Sequence, residues 1–165
     1  MIPRITRFLT TLLVGYVLCA ISSPLLHSLH VSLYAPELCL GIVLFLACGR
    51  RERPLAGIVT TFFLGLIRDG FSGGGLVGMH SEIYMSVFLI AYLTAGRVSY
   101  RSPIMFMLFT GAASIISSLI FFLMSAIFDQ SFDQFDLIFR LMIPQALITA
   151  PFGPVVAMIL EPIFN

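Results

Sequence analysis

Apolar runs of membrane-crossing length follow one another along almost the whole chain, separated by short turns that carry most of its charge. A helix needs about 20 apolar residues to cross ~30 Å of hydrocarbon. Six stretches read as such spans: 8–29, 34–49, 54–69, 79–97, 103–128 and 137–160. Only 10% of the 165 residues are charged, against ~25% in soluble domains. A water-soluble fold of this length has no interior large enough for a 59% hydrophobic chain, so lipid is the solvent for most of it. The expectation is one all-α integral membrane domain over 1–165 with six transmembrane helices and no soluble domain.

Orientation follows from the arginines, the only basic side chains besides histidine. With the N-terminus inside, Arg4, Arg7, Arg50, Arg51, Arg53, Arg97 and Arg101 fall on the cytoplasmic face, and only Arg68 and Arg140 fall outside. That asymmetry predicts an N-in, C-in chain. The acids run the other way: Glu37, Asp69, Glu82, Asp129, Asp133 and Asp136 map to outer helix ends, and Glu52 and Glu161 to the inner face. The inner excess suits an anionic leaflet. The net charge of +1 gives no case for nucleic acid. The segment before Cys19 lacks the small residues of a signal-peptide cleavage site, so the first run is expected to stay as a helix.

The segment Ile67–Glu82 contains two patterns that suggest chemistry. Gly73-Gly-Gly-Leu-Val-Gly78 fits the G-x-G-x-x-G dinucleotide fingerprint. That fingerprint works only between a strand and a helix aimed at pyrophosphate, and no strand precedes these glycines. Gly70-Phe-Ser-Gly73 has the form of an intramembrane serine protease nucleophile. Such a serine needs a positioned imidazole, and the only later histidine, His80, lies in the same glycine-rich segment. Neither reading is adopted, and no catalytic residue is assigned. Gly70, Gly73, Gly74, Gly75 and Gly78 read instead as turn glycines that permit positive φ, with Gly70 at the C-cap of span three. Asp69, Ser72 and Ser81 are the acceptors for the turn's free N–H groups. The flanking spans then form an antiparallel hairpin.

Cys19, Cys39 and Cys48 form no C-x-x-C pair and read as small buried residues. His27 and His30 lack a third ligand, and no metal or cofactor is assigned. Glu37, Arg68, Asp69, Glu82 and Arg140 stand at helix ends, where exposure to lipid would be costly. They are expected to face one another around an outer polar rim, as a partner-docking site or as a network that fixes helix packing. Phe128, Phe132, Phe135 and Phe139 beside Asp129, Asp133, Asp136 and Arg140 predict a short amphipathic interfacial helix. The small residues Gly111 to Ser118 predict close helix packing. Pro144, Pro151 and Pro154 predict a broken sixth span.

Several of these segments together resemble the rod shape-determining MreD family. Gly65-Leu-Ile-Arg-Asp69, the glycines, Leu76-Val-Gly78-Met-His80 and the helix ending at Gly96-Arg97 carry the resemblance. Pro36-Glu37-Leu38 is similar to the family's Pro-Asp-Leu, Arg50 to Pro54 with Gly57 to its basic turn, and Pro144-Gln-Ala-Leu-Ile-Thr-Ala150 to its last span. The resemblance implies a non-catalytic inner-membrane scaffold of the bacterial elongation machinery. Its implied partners are MreC and, in a larger complex, MreB, RodA and the penicillin-binding transpeptidase that works with RodA. The implied fold is that of the substrate-binding (S) subunits of energy-coupling factor transporters. A vitamin-binding S-component is therefore the alternative, although span one offers only Gly15-x-x-x-Cys19 in place of the expected Ala-x-x-x-Ala face.

Overall fold

The computed structural model describes residues 4–28, 36–49, 54–71, 77–95, 102–128 and 135–164. Seven helices and no strand occur among them: α1 (Arg4–Ser28), α2 (Leu38–Gly49), α3 (Pro54–Phe71), α4 (Met79–Thr94), α5 (Pro103–Phe128), α6 (Phe135–Thr149) and α7 (Phe152–Phe164). Prolines open α3 and α5, where the missing N–H costs no helical bond. The all-helical class stands.

α2 is the centre of the molecule. Every residue from Cys39 to Cys48 is buried, enclosed chiefly by α7, α4 and α1. At 12 residues it is about 18 Å long, too short to cross the hydrocarbon. Its continuous apolarity reflects protein packed on every side. α1 shows the opposite: Leu9, Leu13, Tyr16, Val17 and Ile21 remain exposed along one side. α1, α3 and α5 are long and apolar enough to cross a membrane, and α6 with α7 makes a fourth span if the bent pair counts as one. α4, at 16 residues, is shorter than that requirement. Among the described residues, three or four helices thus have the length and composition of membrane spans.

Glycines set how closely the helices meet. On α3, Gly57, Thr61 and Gly65 are buried and recur at four-residue spacing along one face. A Cβ on Gly57 would strike the Phe88 ring, and one on Gly65 would fall on the backbone of His80 and Ser81. The Ser81 hydroxyl then donates to the Phe62 carbonyl at 3.1 Å. α3 and α4 are thus the expected antiparallel hairpin, in near-backbone contact at its closed end. α7 uses the same device, since Gly41 of α2 faces Val156 and Gly153 faces the Thr110 side chain of α5. The small residues of α5 turn inward, with Ala113, Ser114, Ser117 and Ser118 all buried.

The sixth span is broken as the prolines predict. α6 ends at Thr149 and α7 begins at Phe152, bent by 40°. Ala150 N–H donates to Ala146 O and Gly153 N–H to Ala150 O, so the break is closed by turn bonds. Pro144 lies inside α6. Many buried hydroxyls are satisfied within their own helices: Thr11, Thr60, Thr110 and Ser118 donate to the carbonyl four residues earlier. These four hydroxyls thereby enter an apolar bundle with their donors satisfied, whereas the buried Tyr84 and Ser114 hydroxyls have no hydrogen-bond partner.

One expectation changes, and two fall partly outside the described residues. Gly70 is not a C-cap, because α3 continues through Phe71. Among the described residues the positive φ belongs to Gly78 alone, at 100°; Gly73, Gly74 and Gly75 lie outside them, as does Ser72. Of the amphipathic helix expected from Phe128 to Arg140, Phe128 ends α5 and Phe135 to Arg140 are the first turns of α6. Residues 129–134 between them lie outside the described residues, as do His30 and the arginines at 50, 51, 53, 97 and 101.

Candidate functional site

Two carboxylates lie inside the bundle, each tying separate helices together. Asp69, near the end of α3, has a side chain only 5% exposed. Its Oδ2 accepts the Gly78 N–H at 2.8 Å, and its Oδ1 accepts the His80 N–H at 3.1 Å. His80 Nδ1 meets the same Oδ1 at 2.6 Å. These bonds cap the first turn of α4, whose free N–H groups need acceptors and whose dipole favours an anion. Gly78, the residue before α4, has no side chain to serve as that cap. Its left-handed conformation turns its own N–H and that of His80 toward one carboxylate.

Glu37 precedes α2. Its carboxylate accepts Ser117 Oγ of α5 at 3.0 Å and Gln145 Nε2 of α6 at 3.4 Å. Its backbone N–H donates to Thr149 Oγ1 at 3.2 Å. Gln145 and Thr149 are four residues apart and share a face of α6, just before the break. Ser117 stands near the middle of α5, so Glu37 lies deep in the bundle and not at an outer helix tip. The other end of α2 reaches the ends of its neighbours, where Leu46 lies beside Ile5, Leu55 and Phe164.

The polar rim therefore divides. Glu37, Arg68 and His80 lie close enough to interact electrostatically, and Arg68 also acts on the buried Tyr84. Glu82 and Arg140 remain exposed. Asp69 serves as the predicted acceptor for the turn, whereas Ser81 acts as a donor to α3.

Sequence reasoning missed Ser117, Gln145, Thr149 and Tyr84. One signal was present, since Gln145 is the only amide side chain between 137 and 160, and polar groups at membrane depth mark sites. It also missed the pairing of two of the buried cysteines: Cys19 Sγ and Cys39 Sγ approach to 3.2 Å as free thiols. No group of three or more metal-ligating side chains occurs among the described residues.

Comparison with protein-family models, with curated proteins and with solved structures finds no match to this chain.

Proposed function

We propose that this protein is a non-catalytic membrane scaffold of the MreD type, resident in the bacterial inner membrane. In this reading it binds the bitopic MreC and supports rod shape and peptidoglycan synthesis alongside MreB, RodA and its transpeptidase partner. One observation supports the reading: the segments that carry the resemblance pair with one another in space. Asp69 of the Gly65–Asp69 segment holds Gly78 and His80 of the next. Glu37 of Pro36-Glu37-Leu38 meets Gln145 and Thr149 of the last. Carboxylates spent on binding helices together suit a rigid platform better than a reaction centre.

Six passes with both termini in the cytoplasm belong to this proposal, with α2 counted as a short, protein-enclosed pass and α4 as a short pass that leaves Leu89, Ile90 and Leu93 exposed. Affinity purification from native membranes tests it. MreC should co-purify with the intact protein, and its absence from a folded, detergent-stable preparation overturns the reading.

A second reading has one observation in its favour. Glu37 lies deep in the bundle beside a broken helix, the arrangement in which transporters bind substrates or ions. A vitamin-binding S-component would retain radiolabelled vitamin through purification, which the scaffold would not.

A further inference from the structure

Two grooves flank α7, and they differ in charge. The larger, about 400 Å³, lies between α1, α3 and the end of α7. Ile5, Phe8, Leu46, Leu55, Val59 and Phe164 line it. Ile5 and Leu55 are more than 70% exposed at its rim, while Leu46 and Phe164 form a buried floor. It therefore opens sideways, toward whatever solvent surrounds the helices. Thr11 and Thr60 also line it, but both hydroxyls are turned back to their own helices. The wall is thus apolar in effect and of the size that holds small ligands.

Among the described residues, Arg7 is the cation that lines this groove. The Arg7 guanidinium lies 5.8 Å from the Phe164 ring centroid, and its Nε is buried with no hydrogen-bond acceptor. Among the described residues no carboxylate pairs with it. The buried Nε is closed to the groove, which leaves the guanidinium's terminal nitrogens, whose fork geometry matches phosphate, to meet a ligand. The neighbouring groove, about 310 Å³ between α5 and α7, includes Phe106, Met158 and Glu161. It presents a carboxylate where the first presents a cation.

We infer that the α1–α3–α7 groove binds one anionic phospholipid, an acyl chain along the apolar wall and the phosphate on Arg7. The inference rests on the membrane-spanning helices and is independent of the scaffold role. The first groove also has the more apolar wall, which suits an acyl chain, and its cation selects the anionic headgroup.

The chain contains no tryptophan, so a single one reports on its own surroundings. Leu55→Trp at the rim of the first groove is reconstituted as the full chain in phosphatidylcholine vesicles. These contain brominated phosphatidylglycerol or, in parallel, brominated phosphatidylcholine. The expected result is preferential quenching by the anionic lipid, about fivefold above its mole fraction, as for a basic residue meeting an anionic headgroup. Met158→Trp in the second groove should show no such excess. Arg7→Gln should abolish the excess at Leu55→Trp, and so should Ala56→Leu, which fills the groove and leaves the cation in place. Equal quenching by both lipids at Leu55→Trp, or an excess that survives both variants, overturns the inference. An excess that survives Arg7→Gln alone assigns the preference to the general positive charge of that end and overturns it equally.

Discussion

Asp69 and Glu37 are both carboxylates drawn into the interior, yet they fasten different things. Asp69 binds chiefly backbone: its two oxygens take the N–H groups of Gly78 and His80, and the His80 ring also meets one of them. The backbone donors cannot rotate away, and α4 has no side-chain cap of its own. Glu37 accepts from side chains: the Ser117 hydroxyl and the Gln145 amide. Side chains can choose again. A helical serine can turn to the carbonyl four residues before it, and an amide can flip to present oxygen in place of NH₂. Two anchors of the same chemical type therefore have different tolerance. The one that holds backbone is irreplaceable, while the one that holds side chains is adjustable.

The largest effect expected from this contrast lies one turn before Asp69. Gly65 lets the His80–Ser81 backbone come close enough to reach the carboxylate. A methyl group there would fall on main-chain atoms, which cannot move aside as a side-chain tip does. Gly65→Ala should cost about 3 kcal/mol or more, the upper end of overpacking penalties, in reversible denaturation of the purified protein in detergent. A loss below about 1 kcal/mol would mean that the hairpin opens without strain, and backbone capture by Asp69 would lose its cause.

The isosteric amides test the contrast itself. Asn at position 69 must turn its NH₂ toward one of two backbone N–H donors, because both oxygens are already in use. Asp69→Asn should therefore destabilise by about 2 kcal/mol, the cost of a buried unsatisfied donor. Glu37→Gln keeps the shape, and Gln145 can flip to meet it, so its effect should stay within about 1 kcal/mol. The comparison breaks if the two variants unfold at the same denaturant concentration, or if their order reverses. Glu37→Gln also separates structure from function. If it remains as stable as the parent but loses its partner or ligand, the charge at this position is functional.

The Asp69 anchor was legible in the sequence because its partners lie 9 and 11 residues away, within one glycine-rich turn between two apolar runs. The Glu37 anchor was not. Ser117 and Gln145 are 80 and 108 residues distant, and no local pattern encodes such a pairing. The depth of Glu37 was hidden for a related reason. Hydropathy registers that Leu38–Gly49 is apolar, but it cannot distinguish protein from lipid as the surrounding medium. On hydropathy alone, α2 therefore reads as a full span starting at the outer face. The broken sixth span was foreseen because proline acts locally. The thiol pair of Cys19 and Cys39 was not foreseen, since two cysteines twenty residues apart meet only through the crossing of α1 and α2.

The smallest expected effects differ in sign and locate where the Asp69 turn needs conformational freedom. Gly70 follows Asp69 directly but is helical and exposed, with nothing within 4 Å of an added Cβ. Gly70→Ala should therefore stabilise by up to about 1 kcal/mol, since alanine loses less backbone entropy in a helix. Gly78 also has open space around it, yet its φ is 100°. Gly78→Ala should destabilise by about 1–2 kcal/mol through backbone strain alone. Space is the same at the two positions, so steric crowding cannot separate them. A destabilised Gly70→Ala would place the flexible joint at the end of α3. A neutral Gly78→Ala would mean that the N–H groups reach Asp69 without the left-handed turn, leaving the carboxylate itself as the sole determinant of how α4 begins.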